Sequence, residues 1–319
     1  MERKFMDLLH GQWDAGKFSC VGLDTNHREI SDEIKASLAN AVGSTSVAIV
    51  RRFNRKIIEA TADLAGMYKP NIAFYEALGS QGLDVLRSTV AYIHQVAPQV
   101  PVILDAKRAD IGSTNKGYVD MIDWLGADAI TAHPYLGSEA LGPFLERKDK
   151  GVIVLCRTSN PGAKELQNYF VIVKTGDEHR FFFENNLANH LAIDYRDTPN
   201  NATSHQIAVP LYQHLAYKIS TAWNGNGNCC LVVGATYPEE MAIVRKIAPK
   251  LPFLIPGVGK QGGTATDAVK NGKDANGQGM IINSSRGIIF ASKGIDFPTV
   301  AREQLEALND EIRQALEVA

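Results

Sequence analysis

Eight short apolar runs, separated almost everywhere by segments of helical periodicity, constrain the fold of this chain more than any single motif. They are "FSCVGLD" (18–24), "AGMYKPNIAF" (65–74), "VPVILDAK" (100–107), "ADAITAHPYL" (127–136), "GVIVLCRTS" (151–159), "CCLVVGAT" (229–236), "PFLIPGV" (252–258) and "GMIINSSRG" (279–287). Between them, stretches such as "VAIVRRFNRKIIEATADL", "GLDVLRSTVAYIHQVA" and "PEEMAIVRKIA" carry apolar residues three and four apart, the mark of helices with one buried face. Strands that alternate with helices imply a parallel sheet. Eight such units predict an α/β fold of the (β/α)8 TIM-barrel type, whose functional side chains gather at the C-terminal ends of the strands.

The rhythm breaks once. Residues 163–209 read as an insertion after strand five, in which "YFVIVKTGDEHRFFF" has the pattern of a hairpin turning at Thr-Gly-Asp, followed by the polar stretch "DYRDTPNNATSHQ". The segment 25–46 is likewise long for one loop. Together they account for 319 residues where this barrel typically needs about 250. No linker suggests a second unit, so one catalytic domain over 1–319 is expected.

Composition narrows the class. With 45% hydrophobic and 21% charged residues and a net charge of −2, the chain has no basic footprint for nucleic acid or an anionic membrane. No run reaches the ~18 apolar residues of a membrane span. The N-terminus "MERKFMDLLHGQWDAGKF" has the pattern of an amphipathic helix rather than a signal peptide. Cys20, Cys156, Cys229 and Cys230 lie in or beside strand-like runs without metal-ligand spacing, as reduced core residues of a cytoplasmic protein would. The Asn201-Ala-Thr203 sequon is then accidental.

Charge sits where the core should be. In "LDAKRAD" (104–110), Asp105 and Lys107 are two apart, which puts both on one face of a strand. Such a pair is costly in an interior unless the two groups neutralise each other. A single structural ion pair would be unremarkable. However, Asp24 ends strand one, Lys69 lies in strand two, Ser159 ends strand five, Arg286 ends strand eight, and Asp110 follows strand three. In a barrel these ends converge on one mouth. "PGVGKQGG" (256–263) contains G-x-G-x-x-G, but no acid follows at the distance a dinucleotide fold requires. Glycines after strand seven better serve to bring backbone N–H groups to a phosphate, with Arg286 as its bidentate partner. His133 in "TAHPYLG" reads as a structural hydrogen-bonder, and no histidine spacing suggests zinc.

These residues resemble a known family. Asp105-x-Lys107-x-x-Asp110, with Ile111 and Thr114, is similar to the D-x-K-x-x-D-I-x-x-T signature of orotidine 5′-phosphate decarboxylases, and the likeness runs through the whole chain, closest to the larger, more divergent subfamily. It implies that Asp24 of "GLD" binds ribose and that "YKPN" supplies Lys69 and Asn71. It implies further that Ser159 of "TSNPG" reads the pyrimidine, and that Gln261 and Arg286 hold the phosphate. The implied reaction converts orotidine 5′-monophosphate (OMP) to UMP and CO2 in pyrimidine biosynthesis, without cofactor or metal. In it Lys107 donates the proton and Lys69, Asp105 and Asp110 complete the charge array. The resemblance also implies a homodimer in which Asp110 and Ile111 reach the neighbouring subunit's site.

Two alternatives stay open on the residues. The D-x-K-x-x-D motif also occurs in magnesium-dependent sugar-phosphate decarboxylases and synthases, which place a Glu where this chain has Lys69. A non-catalytic phosphate-binding barrel would keep Gln261 and Arg286 but has no need of the Lys–Asp array.

Overall fold

A computed structural model describes residues 3–39, 45–173, 176–187 and 207–318. The predicted strands form β1 (Ser19–Leu23), β2 (Met67–Pro70), β3 (Ile103–Arg108), β4 (Ala129–Ala132) and β5 (Gly151–Arg157). Two further strands, β6 (Phe170–Val173) and β7 (Ile207–Pro210), interrupt them before β8 (Cys229–Val233), β9 (Phe253–Ile255) and β10 (Met280–Ser284). All except β6 and β7 join one parallel sheet in the order β2-β1-β10-β9-β8-β5-β4-β3. Bridges Tyr68↔Val102 and Asn71↔Asp105 bring its edges, β2 and β3, together, and the sheet closes into the expected barrel. Strands packed inside by side chains and outside by helices are apolar on both faces. Accordingly β1, β2, β4, β8 and β9 are buried at every residue.

The helices fall where the periodicity placed them. Ser46–Thr61 buries Ile49, Val50, Phe53, Ile57 and Ile58 and is capped by Thr45, whose hydroxyl accepts from the Ala48 amide. Phe53 stacks on Phe297 at 4.8 Å, so the final helix, Phe297–Val318, packs beside it in the outer layer. The N-terminal helix Phe5–Asp14 lies across the barrel floor. Phe5 packs so close to Gly151 that a Cβ there would stand 2.2 Å from its ring, and the Trp13 indole donates to the Met280 carbonyl at 2.8 Å. Arg3 pairs with the buried Asp128 at 2.8 Å on the same side.

The insertion differs from the sequence expectation. "DEHRFFF" is not the return strand of a hairpin: it forms the helix Asp177–Glu184, and β6 pairs antiparallel with β7 instead. Acidic Asp177 and Glu178 favour a helix start. Helical spacing also lets Phe182 be fully buried and Phe181 reach Tyr217 at 5.1 Å, while Glu178 bonds His214 at 2.6 Å. The polar stretch 194–206, Thr175 of the expected turn and positions 201–203 lie outside the described residues. The segment 25–46 is not one loop, since it contains a short turn at His27–Glu29 and the helix Asp32–Leu38 capped by Ser31.

Candidate active site

A cavity of about 470 Å³ opens at the C-terminal ends of the barrel strands, within the size range of small-molecule sites. Asp24, Lys69, Asn71, Asp105 and Lys107 line one part of it, and Ser159, Gln261 and Arg286 another. Asp110, Ile111 and Thr114 do not line it. Asp110 and Ile111 belong to the turn leaving β3 and Thr114 to the start of the helix Gly112–Leu125; the Asp110 amide donates to Asn115 Oδ1 at 2.8 Å and Ile111 is 61% exposed.

The charges alternate in a connected row. Lys69 Nζ lies 2.9 Å from Asp105 Oδ2 and 3.7 Å from Asp24 Oδ1, and Lys107 Nζ lies 2.6 Å from Asp105 Oδ1. Asn71 Nδ2 reaches Asp105 Oδ2 at 3.5 Å. Burial alone would raise the Asp105 pKa, but Lys69 and then Lys107 outweigh it and hold the carboxyl well below the usual carboxylate range. Burial alone would likewise lower the Lys69 pKa. Asp105 and Asp24 reverse that, so Lys69 remains an ammonium. The Lys69 side chain is 4% exposed and that of Lys107 is 50% exposed, which leaves Lys107 the accessible cation of the row.

Strand alternation does not account for the Lys107 position. Lys107 has φ +48, in the left-handed region, and the β3–β4 register shifts between Leu104 and Arg108. Arg286 does not end a strand either. β10 stops at Ser284, and Arg286 opens the short helical turn Arg286–Ile289. Ser159 lies two residues past the end of β5, and His133 just past β4 and outside the cavity lining.

The glycine loop uses part of its backbone internally. Gly257, Gly259 and Gly262 have positive φ, but the amides of Gly259, Gly262 and Gly263 are already bonded to carbonyls of the same loop. The loop presents Gln261 to the cavity, where its Oε1 accepts from Ser159 Oγ at 2.9 Å. Lys260 and Arg286 are the cations that line this part of the cavity.

Sequence reasoning missed three polar contributors. Thr131, in the apolar run of β4, lines the cavity. The fully buried Arg157 pairs with Glu240 at 3.0 Å, lies 3.9 Å from the Tyr237 ring centroid and bonds Gln167 at 3.2 Å. Gln167 in turn bonds the amide and hydroxyl of Thr158, which braces the turn carrying Ser159. The available signal was a polar residue inside an apolar run, but its partners lie on distant elements.

No cluster of metal-ligating side chains occurs among the described residues. More tellingly, two ammonium groups already occupy the carboxylates of this site, which makes it a poor donor set for a divalent cation. The four cysteines are free and buried, and burial pushes the thiols of Cys20, Cys156 and Cys229 up to about 12, so they are inert at neutral pH.

The model of the family described as orotidine 5′-phosphate decarboxylase / HUMPS matches residues 19–182, more than half the chain and including the whole row of charges. The chain belongs to this family. Orotidine 5′-phosphate decarboxylases are also its similar relatives over nearly full length: that of Cellvibrio japonicus is 38% identical over 98% of both chains, and that of Herpetosiphon aurantiacus is 40% identical over 90% of both. The structure of Leishmania donovani OMP decarboxylase superposes with a TM-score of 0.69 at 33% identity, covering 96% of this chain and 99% of that one.

Proposed function

We propose that this protein decarboxylates OMP to UMP and CO2 without a cofactor, as one catalytic unit over 1–319. The observation that carries the reading is the row Asp24–Lys69–Asp105–Lys107, packed at 2.6 to 3.7 Å in the same cavity as Gln261 and Arg286. Loss of CO2 from C6 of the pyrimidine leaves a carbanion in the ring plane with no adjacent π system. The protein must meet it with fixed charge. Lys107 supplies that charge and then the proton that completes UMP. Asp105 holds Lys107 charged and oriented and stands beside the departing carboxylate. Lys69 keeps Asp105 ionised, which is the work a Glu and a metal would not do in its place.

Asp24 and Asn71 bind the ribose, Ser159 reads the pyrimidine, and Gln261 and Arg286 hold the phosphate, whose remote binding energy is available to the transition state. Asp110 and Ile111 act across a homodimer interface, which their place outside their own chain's cavity supports. The exposed Ile111, Tyr135 and Leu136, on the turns after β3 and β4, supply apolar surface for such an interface. The free cysteines fit a cytoplasmic enzyme, and among the described residues no helix is long and apolar enough to cross a membrane.

The test is loss of the orotate absorbance on incubation with OMP, before and after exhaustive chelation, with Lys107→Ala alongside. The native protein should turn over OMP equally in both conditions. Lys107→Ala should fold and lose about 10⁴-fold or more in kcat, since both counter-charge and acid are removed. A folded, active Lys107→Ala protein would sink the mechanism. Activity lost on chelation and restored by magnesium would return it to the sugar-phosphate enzymes.

A further inference from the structure

Thr131 is a lone hydroxyl in the run "AITA" of β4, and the chemistry above leaves it without a task. It is 1% exposed and lines the cavity. Its Oγ1 accepts from the Ala106 amide at 3.0 Å and from the Lys107 amide at 2.9 Å, and it donates to Asp105 Oδ1 at 2.9 Å. A threonine hydroxyl has two lone pairs and one hydrogen, so these three bonds use all of its capacity. Their direction is forced as well. The two amides can only donate, which leaves the hydroxyl hydrogen for the carboxylate and requires that oxygen to be unprotonated.

The same place carries the irregularity of β3. Leu104 pairs with Ile130 and Arg108 with Ala132, so Asp105, Ala106 and Lys107 together stand opposite Thr131 alone. In an unbroken ladder their amides would meet strand carbonyls. In this bulge the amides of Ala106 and Lys107 have the threonine oxygen as their partner instead. Lys107 is, with Asn186, one of two non-glycine residues of positive φ among the described residues. That conformation is unfavourable for an L-residue and persists only where its surroundings enforce it.

We propose that Thr131 is a positioning residue for the decarboxylation. Its hydroxyl sets the bulge that turns Lys107 into the left-handed conformation, and it fixes the Asp105 carboxylate that Lys107 leans on. One side chain on β4 thus aligns both members of the pair on β3. The inference rests on the roles given above to Lys107 and Asp105.

Thr131→Val keeps shape and removes the hydroxyl, Thr131→Ser keeps the hydroxyl, and Lys107→Ala reports on the underlying mechanism. Each is assayed with OMP for kcat and KM and titrated with UMP. Misalignment of a reacting group costs rate rather than ground-state affinity, so kcat of Thr131→Val should fall about 100-fold. KM and the UMP Kd should change less than about threefold, because the phosphate and ribose contacts lie elsewhere. Thr131→Ser should recover most of the lost rate. If the valine variant does not fold, Thr131→Ala is read in the same way.

Several outcomes overturn the assignment: a kcat within about twofold of native in the valine or alanine variant, a serine variant as slow as the valine one, or a parallel loss of UMP binding. Failure of both hydroxyl-free variants to fold overturns it too, by making Thr131 a folding residue. An active Lys107→Ala protein would instead refute the mechanism beneath it, whereas an inactive one beside a fast Thr131→Val refutes the positioning role alone.

Discussion

At the scale of single residues, Asp105 gathers partners from three strands, since it accepts from Lys69, Lys107, Thr131 and Asn71 at once. Burial opposes its charge and two ammonium groups restore it, so its folded pKa lies below the unfolded value of 3.8. A carboxylate depressed in the folded state contributes stability that is fully present above its unfolded pKa and is lost as pH falls through the folded one. Thermal melts of the native protein and Asp105→Asn should therefore differ by a constant amount from about pH 5 to 7, and the native protein should lose stability relative to the variant below about pH 4. A difference in Tm that stays constant down to strongly acid pH would mean that Asp105 is not held ionised. This residue was legible in the sequence because its place at the end of an apolar run is a local property. Thr131 was not, because a threonine within a strand is ordinary until its partners across the sheet are known.

At the scale of elements, the site depends on how closely the ends of neighbouring strands approach. Gly234, just past β8, lies against the turn that follows β5. A Cβ there would stand 2.7 Å from Ser159 Cα and 2.8 Å from its backbone nitrogen, while the neighbouring Thr236 hydroxyl donates to the Ser159 carbonyl at 3.1 Å. Backbone cannot yield as a flexible side-chain tip does. Gly234→Ala should therefore displace Ser159 and its bond to Gln261, which raises KM for OMP about tenfold or more, and overpacking should lower stability by about 1–3 kcal/mol. Steady-state kinetics and a melting curve check both, and native values for each would show that the turn has room to spare. The elements themselves were readable from periodicity. Exceptions are β7, the helix Asp32–Leu38 and the helix Asp177–Glu184, whose aromatic run suits strand and helix alike and was decided by burial of Phe182 and the reach of Phe181 to Tyr217.

At the scale of the whole molecule, the barrel separates stability from chemistry. The floor is closed by the N-terminal helix and the Arg3–Asp128 pair, and the mouth carries every group of the candidate site. Asp110 is the exception that bears on assembly. If it serves a neighbouring subunit, Lys107→Ala and Asp110→Ala proteins are each nearly inactive alone, but mixing and re-equilibration makes half the dimers hybrid. Each hybrid has one intact site and one doubly damaged site, so activity should recover to about a quarter of native in a freely exchanging two-fold dimer. No recovery, with subunit exchange demonstrated separately, would place Asp110 in its own chain's chemistry.

The sequence by itself determined the barrel and the charged rim. Alternation of apolar runs and helical periodicity are short-range patterns, and charge at the end of a buried strand is costly enough to mark a place where partners must converge. It also placed Lys69, a cation within an apolar strand, at that rim. Only the tertiary structure decided how these groups are held. The β3 bulge, the left-handed Lys107, the three bonds of Thr131 and the bracing of the Ser159 turn by Arg157 all depend on register and contact between segments distant in the chain. The glycine loop makes the same point, since its glycines were visible in the sequence, but only the structure shows that the amides of Gly259, Gly262 and Gly263 are bonded within it. Residue type limits which partners a group can take. Which partner it meets is set by strand pairing and packing over the whole barrel, and no local pattern encodes that.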